Sequence, residues 1–110
     1  MTELITLINE FRDERDWRQF HNPKDLAISI SLEASELLEN FQWKESEDAI
    51  QKNKNDIEKE LADILIYSLM LSSDLNLDVK NIIKKKLNEN GHKYPVNKSK
   101  GSNVKYTNFD

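Results

Sequence analysis

Residues 22–41 read NPKDLAISISLEASELLENF, and this stretch decides the fold. Its apolar side chains recur at steps of three and four, which is the period of a helix with one buried face. Asn22 predicts the N-cap of this helix and Pro23 its first position, where the missing N–H costs nothing. The predicted buried stripe of this second helix consists of Leu26, Ala27, Ile30, Ala34, Leu37, Leu38 and Phe41.

The helical period recurs on both sides of this stretch. It predicts a first helix over about residues 2–15 and a third helix from about Asp56 to Ser73. The polar segment 44–55 between them is either a loop or the opening of the third helix. Asp78 predicts the cap of a fourth helix, and Gly91 predicts its left-handed end. The predicted core face of the third helix is Ile57, Leu61, Ile64, Leu65 and Leu69.

Four helices with short connections predict an all-α, four-helix bundle-like fold in a single domain over residues 1–110. Two glycines in the whole chain and 33% charged residues suit such a fold better than a sheet. The core is expected over about residues 2–95, and residues 96–110 are predicted to be an irregular, basic C-terminal tail or an active-site flap. A domain of this size buries a modest share of its surface, so we expect an oligomer.

Charge is divided unevenly along the chain. Residues 1–77 carry 17 acidic and 8 basic side chains, whereas residues 78–110 carry 8 lysines and 3 acidic side chains. The acidic body argues against a nucleic-acid polymer as partner, because such binding depends on cations that displace counterions. The absence of cysteine excludes disulfides, thiolate metal sites and cysteine nucleophiles. Since neither a secretory signal nor a run of roughly 18 apolar residues is found, we expect a cytoplasmic protein with no membrane partner.

Two pairs of acidic residues lie on the second and third predicted helices. Glu33 and Glu36 are spaced i and i+3, as are Glu60 and Asp63, so each pair projects from one helix face. If the two helices pack antiparallel, the four carboxylates converge and their repulsion calls for a cation. Hard oxygen ligands without Cys or His favour Mg²⁺, with Mn²⁺ as a substitute. The alternative is that these acids are only the solvated margins of their helices.

A set of motifs in fixed order adds a family resemblance. The motifs are ERDWRQFHNPK at 14–24, EASEL at 33–37, FQW at 41–43, ELADILIY at 60–67, KLNEN at 86–90 and KYPV at 93–96. Over about residues 4–106 the chain resembles the MazG-like nucleotide pyrophosphohydrolases, in particular small single-domain members such as the dCTP pyrophosphatase group. The resemblance implies a homodimer or homotetramer that hydrolyses (d)NTP to (d)NMP and pyrophosphate with Mg²⁺. It also implies a house-cleaning role in nucleotide metabolism, with dCTP-like substrates favoured.

The resemblance also assigns roles to individual residues. It implies that the metal ligands and catalytic carboxylates are Glu33, Glu36, Glu60 and Asp63. The residues that it implies around the nucleotide are Trp17, His21, Trp43 and Tyr67, and those near the phosphates or sugar are Lys86, Asn90 and Lys93. Each of these side chains also has a purely structural interpretation, such as core packing for the tryptophans or a solvated tail for the lysines. Glu36 is our candidate for the general base.

Two other functions stay open at this point. The same fold and metal would serve a different nucleotide, of the dUTP/dUDP or phosphoribosyl-ATP type. A non-catalytic helical association module, whose acids only keep it soluble, is the other alternative. A substrate panel separates the first from the nucleoside triphosphate reaction, and metal binding tests the second.

Overall fold

The computed structural model describes all 110 residues and contains helices and turns but no strand, so the all-α prediction is confirmed. Its elements are α1 (Thr2–Glu14), a 3₁₀ turn (Arg18–Phe20), α2 (Pro23–Glu39), α3 (Ser46–Asp74), α4 (Val79–Lys93), α5 (Val96–Ser99) and a second 3₁₀ turn (Tyr106–Asn108). The chain forms two compact units, Met1–Leu77 and Asp78–Asp110. None of the helices combines the length and the apolar character that crossing a membrane requires.

The starts of α2 and α4 follow the predicted caps. The side chain of Asn22 accepts a hydrogen bond from the backbone N–H of Asp25 at 2.9 Å, and Pro23 is the first residue of α2. Asp78 accepts in the same way from the N–H of Asn81 at 3.1 Å. Each cap satisfies one of the backbone donors that a helix start leaves without a partner. Both predictions are confirmed.

The polar segment 44–55 is mostly the opening of α3, which settles the choice left by the sequence. Helix α3 begins at Ser46, and Ala49 in its first turn is fully buried. The helix bends at Asn53, whose backbone (φ −118°, ψ 19°) is not helical. Asparagine is a poor residue for a helix interior because its side-chain amide competes for backbone groups. The sequence left this choice open because Ala49 is the only buried residue of the segment, so no apolar period marks a helix there.

Gly91 was predicted as the end of α4, and this prediction is wrong. The helix runs through Gly91 to Lys93, and the N–H of Tyr94 still donates to the carbonyl of Asn90 at 2.8 Å. Tyr94 (φ −124°, ψ 68°) then leaves the helical conformation. It precedes Pro95, whose ring disfavours a helical conformation in the residue before it. Proline therefore ends this helix, and the left-handed glycine of the chain is Gly101 (φ 75°).

The prediction of an irregular tail is wrong in part. Residues 96–110 contain the one-turn helix α5 and a 3₁₀ turn. Tyr94 meets Tyr106 and Phe109 edge to face, with ring centroids 5.7 and 5.8 Å apart. Such aromatic pairs stabilise by about 0.5–1.5 kcal/mol each beyond the area they bury. The aromatic residues of the tail, which carry no helical period, therefore give the second unit a small cluster of its own.

Helices α2 and α3 pack along each other in the first unit, and α1 packs on α3. The apolar side chains buried there are Leu26, Ala49, Leu69 and Met70. The predicted core faces are buried only in part, because Leu38, Leu61 and Leu65 remain 69%, 48% and 55% exposed. The apolar stripes of α2 and α3 are wider than the contact between the two helices. The expectation that these leucines lie in the core of one chain is therefore wrong.

Candidate active site

Three of the four predicted acids meet where α2 and α3 pack. Carboxylate oxygens of Glu33, Glu36 and Glu60 lie within 4.8 Å of one another. The i, i+3 spacing places Glu33 and Glu36 on one face of α2, and this face turns toward Glu60 on α3. The two helices are joined by a short connection, residues 40–45, which makes them neighbours. We refer to Glu33, Glu36 and Glu60 as the acid cluster.

Like charges at this distance disfavour full ionisation of the acid cluster. Burial, hydrogen bonding with Glu60 and Glu36, and the charges of Glu36 and Asp63 raise the pKa of Glu33 to about 7. A hydrogen bond with Glu33 lowers the pKa of Glu60, but Glu36, burial and the charge of Asp63 together leave that pKa above its usual range. The acid cluster therefore favours the binding of a proton or of a cation.

Two oxygens of the acid cluster receive no hydrogen bond from outside the cluster. Oε2 of Glu33 and Oε2 of Glu60 are both shielded from solvent, and no donor of another residue reaches them. Buried polar atoms are rarely left in this state, because each unsatisfied group costs roughly 1–3 kcal/mol. A donor set made only of carboxylate oxygens fits a hard divalent cation, which would satisfy both atoms and cancel the repulsion. The residues present therefore fit a metal ion.

Asp63 lies outside the group of three but close to it. Its charge acts on Glu33 and Glu60, and it also lines a neighbouring cavity. That cavity measures about 380 Å³ and is formed by α1, the segment after it and α3. Its walls are Leu7, Ile8, Phe11, Trp17, His21, Asp63, Ile66, Tyr67 and Met70. A mostly apolar cavity with a few polar groups at one side is the usual form of a small-molecule pocket. We refer to it as the apolar cavity.

The segment between α1 and α2 places Trp17 and His21 in the wall of the apolar cavity. Asp16 adopts a left-handed conformation (φ 54°), and the N–H of Trp17 donates to the carbonyl of Arg12 at 2.9 Å. Trp17 stands edge to face with Phe11 and with His21, at centroid distances of 5.7 and 6.4 Å. Two of the predicted nucleotide residues thus share one wall with an aromatic residue of α1.

The pKa values of two polar groups in the apolar cavity are shifted, that of His21 downward and that of Tyr67 upward. Burial and the nearby charge of Arg12 lower the pKa of His21, and the charge of Asp74 only partly offsets them. Nδ1 of His21 is buried without a partner. Burial raises the pKa of Tyr67, and the charges of Glu33, Asp63 and Glu36 raise it further. The cavity therefore presents a neutral imidazole and a neutral phenol to a ligand.

The other predicted contact residues lie elsewhere. Trp43, in the connection between α2 and α3, is 93% exposed and has a left-handed backbone (φ 63°). Lys86, Asn90 and Lys93 belong to α4 in the second unit. There Nζ of Lys86 and Nζ of Lys93 approach Oε1 of Glu89 at 3.3 and 3.5 Å. Their contact with the phosphates or sugar of a nucleotide stays a prediction.

Sequence reasoning missed a buried charge network beside the apolar cavity. Arg12 is fully buried and pairs with Asp74 through its two terminal nitrogens, Nη1 and Nη2. Its Nε donates to Oδ1 of Asn9 at 3.0 Å. Asn9 in turn donates to Ser73 at 3.1 Å. The network joins α1 to the end of α3 and supports the turn that carries Trp17. The only signal for this network in the sequence is the position of Arg12, a basic residue next to Phe11 on the apolar face of α1.

Comparison with known proteins agrees with this geometry. A profile of the MazG-like family matches residues 28–109, which include all four acids. The chain belongs to the MazG-like family. The match also runs from the first unit into the second, so both are parts of one MazG-like region.

The MazG-like relatives include mammalian dCTP pyrophosphatase 1. The protein of that name from Rattus norvegicus is 39% identical over 112 aligned positions, which cover 97% of this chain and 66% of the relative. The Homo sapiens protein is 36% identical with the same coverage. This chain thus spans just under two-thirds of the length of these relatives. A crystal structure of a pyrophosphatase from Archaeoglobus fulgidus superposes with a TM-score of 0.81 at 43% identity, covering 86% of this chain and 92% of the other.

Proposed function

We propose that this MazG-like chain hydrolyses nucleoside triphosphates to nucleoside monophosphates and pyrophosphate, with dCTP-like substrates favoured. The observation that carries the proposal is the meeting of Glu33, Glu36 and Glu60 within 4.8 Å, with two buried oxygens that no donor from outside the cluster reaches. Further support comes from relatives named as dCTP pyrophosphatases and from a structural neighbour named as a pyrophosphatase. Such an enzyme would remove unwanted nucleotides from the cytoplasmic pool.

Mg²⁺ is the proposed cofactor, held by Glu33, Glu36, Glu60 and Asp63, with Mn²⁺ as a substitute. When bound, such an ion neutralises phosphate charge and lowers the pKa of a water molecule. Phosphoryl transfer needs this neutralisation and alignment more than it needs covalent help from the protein. The role of the protein is therefore to hold four carboxylates together despite their repulsion.

Glu36 is the proposed general base. Its side chain is exposed and borders an open acidic cavity, so water reaches it, whereas Glu33 and Glu60 are more buried. In the proposed step a water oxygen bonds to the α phosphorus while the bond from that phosphorus to the bridging oxygen breaks. Glu36 accepts the proton of the water, and pyrophosphate leaves with the bonding electrons.

The apolar cavity is the proposed site for the nucleoside. Its volume of about 380 Å³ lies within the range of small-molecule pockets, and Asp63 connects it to the acid cluster. Trp17 offers a ring on which a base stacks, an interaction worth about 1–3 kcal/mol in single-strand binders. His21 and Tyr67 supply the polar groups that hydrogen-bond to the base or sugar.

Hydrolysis in ¹⁸O-labelled water tests the proposed reaction. Wild-type protein is incubated with Mg²⁺ and a panel of nucleotides that includes dCTP, the other deoxynucleotides, dUDP and phosphoribosyl-ATP. We expect pyrophosphate and a monophosphate that carries the label, with the fastest turnover on dCTP. Orthophosphate as the sole product would contradict the reaction. Faster turnover of dUTP, dUDP or phosphoribosyl-ATP would instead reassign the substrate.

A charge-neutral substitution tests the role of Asp63. Asp63→Asn keeps the size of the side chain but removes a negative charge, so we expect pyrophosphate release to fall roughly 10²–10³-fold, as when one electrostatic group of a preorganised site is lost. Glu58→Gln, an exposed acid on the same helix, is the matched control and should retain wild-type rates. Equal rates for both variants would refute the role of Asp63. A melting temperature that does not change when Mg²⁺ is added, together with the absence of activity, would favour a non-catalytic association module.

Association into a homodimer or homotetramer is part of the proposal. Large apolar side chains on α2 and α3 remain exposed, including Leu32 at 59% and Leu38 at 69% on α2, and Leu65 at 55% on α3. A second copy of the chain would cover these faces and supply the missing core. We expect light scattering to give a multiple of the monomer mass and Leu65→Glu to reduce it. A monomeric wild type at micromolar concentration would contradict this part of the proposal.

A further inference from the structure

A side-chain hydrogen bond between Asn53 and Asn40, called the tie below, joins α2 and α3 near the acid cluster. Nδ2 of Asn53 donates to the backbone carbonyl of Asn40 at 2.9 Å. Asn40 is the residue that closes α2, where the last carbonyls have no partner within the helix. Asn53 is the one residue inside α3 with a non-helical backbone (φ −118°, ψ 19°). The bend in α3 and the end of α2 are thus fastened to each other by a single hydrogen bond.

The tie lies on the same helix faces as the carboxylates. Asn40 follows Glu36 by one helical turn, and Asn53 precedes Glu60 by two, which places each pair on a common face. All four residues border one cavity of about 510 Å³, whose other walls are Glu39 and Asp56. Nδ2 of Asn40 also donates to the carbonyl of Glu36 at 3.3 Å. The tie is therefore built into the wall of the space that opens onto the acid cluster.

Repulsion among the acids favours separation of α2 and α3, whereas the tie holds the two helices together. The helices that carry Glu36 and Glu60 also carry Glu39 and Asp56 along the same cavity, so negative charge faces negative charge across it. A neutral amide that donates across the gap resists separation without adding charge. Groups that hydrogen-bond directly to metal ligands typically change metal affinity or activity about 10–100-fold when removed. Asn53 bonds to the backbone beyond the ligands, so the lower end of this range is expected.

We propose that Asn53 is a positioning residue for the acid cluster: its bond to the Asn40 carbonyl sets the spacing of α2 and α3 at which Glu36 and Glu60 share one cation. This inference rests on the proposed metal-dependent function. Asn53 does not touch the substrate or the ion, and it acts only through the helix spacing. Loss of the bond weakens cation binding and leaves the chemistry of a saturated site intact.

Calorimetry with Mn²⁺ alone and pyrophosphate assays over a range of Mg²⁺ concentrations test the proposal on three variants. Asn53→Ala removes the donor, Asn55→Ala alters a nearby exposed asparagine of α3, and Asn40→Ala keeps the accepting backbone carbonyl. We expect Asn53→Ala to weaken Mn²⁺ binding and to raise the half-saturating Mg²⁺ concentration about 10-fold. The kcat at saturating Mg²⁺ should stay within about twofold of wild type, and both control variants should bind Mn²⁺ like wild type.

Other outcomes overturn the proposal, and they can be told apart. Unchanged metal dependence in Asn53→Ala removes the positioning role while the proposed enzyme stands. A lower melting temperature with an unchanged half-saturating Mg²⁺ concentration shows that the bond serves only the fold, and it also overturns the proposal. Absence of any Mn²⁺ heat with wild-type protein overturns the metal-dependent function itself, and the positioning role falls with it.

Discussion

Two groups of charged side chains in the first unit have opposite environments. Arg12 is fully buried, but Asp74 and Asn9 satisfy its guanidinium. In the acid cluster, by contrast, charges of one sign lie together, and no donor from outside the cluster reaches the Oε2 atoms of Glu33 and Glu60. Buried charge that serves the fold is expected to be paired, because an unpaired buried ion is very costly. The acid cluster is therefore the better candidate for a functional role.

Neutralising one member of the acid cluster is the strongest test of the difference between the two groups. Glu36→Gln should lower pyrophosphate release roughly 10²–10³-fold, because it removes both a ligand charge and the proposed base. The same change should raise the melting temperature in EDTA, since it relieves repulsion. Rate assays and thermal melts of the same preparation measure both effects. A variant that is less active and also less stable without metal would mean that Glu36 supports the fold.

Removal of one member of the paired group should act on stability instead. Arg12→Ala leaves the Asp74 carboxylate without its buried partner, but Arg18 still lies 3.6 Å away, so we expect a loss of about 3 kcal/mol in the free energy of unfolding, the lower end for a broken buried pair. Urea denaturation measures this loss. The double variant Arg12→Met/Asp74→Leu removes both charges together and should recover most of it. A loss of under about 1 kcal/mol for Arg12→Ala, the size typical of exposed ion pairs, would contradict the structural role.

Trp17 contacts both the Arg12 segment and the apolar cavity: its backbone N–H donates to the carbonyl of Arg12, and its ring lines the cavity that Asp63 also borders. Trp17→Ala should raise KM for dCTP roughly 5–150-fold, the equivalent of one lost base stack of about 1–3 kcal/mol. Steady-state kinetics measure the change. Phe20→Ala, which removes an exposed aromatic ring in the same segment, is the matched control and should leave KM near the wild-type value. An equal effect of both variants would exclude stacking on Trp17.

The smallest effect expected is on pH dependence. The pKa of Glu33 is about 7 in the folded protein against an ordinary value of 4.5, so the metal-free folded state binds more protons than the unfolded chain between these values. Stability in EDTA should therefore fall as pH rises through that window. Mg²⁺ must displace the proton, so the rise in melting temperature that it causes should be larger at about pH 8 than at about pH 5.

Melting curves of Glu33→Gln provide the control for this pH effect. The variant has no carboxyl group to titrate at that position, so most of the decline in EDTA should disappear. An unchanged decline would assign the pH dependence to other groups. A wild-type melting temperature that rises with pH across the same window in EDTA would contradict the raised pKa of Glu33 directly.

Features encoded by residues near one another in sequence could be predicted. The cap at Asn22 depends on its neighbour Asp25, and Glu33 and Glu36 share a face because of helix geometry alone. The meeting with Glu60 needed one further assumption, the packing of consecutive helices, and that assumption holds. Gly91 shows the limit of such local rules, because the restriction before Pro95 outweighs a glycine stop signal.

Features that depend on distant partners could not be predicted. Arg12 pairs with a residue 62 positions away, and only the packing of α1 on α3 brings the two together. The wall of the apolar cavity combines the same two helices, and no local pattern shows that Phe11 and Met70 line one cavity. The exposed Leu38 and Leu65 also looked like core, because periodicity reveals an apolar face but not what covers it. The bend at Asn53 depends on a carbonyl of another helix.

The two tryptophans of the chain have a practical consequence. Trp17 is 41% exposed in the wall of the apolar cavity, whereas Trp43 is 93% exposed in the connection after α2. Indole emission shifts to shorter wavelength as the ring leaves water. Trp43→Phe therefore leaves a single indole that reports on the apolar cavity, and Trp17→Phe leaves one that reports on the connection after α2. Changes at the two places thus have separate optical signals, without any added dye.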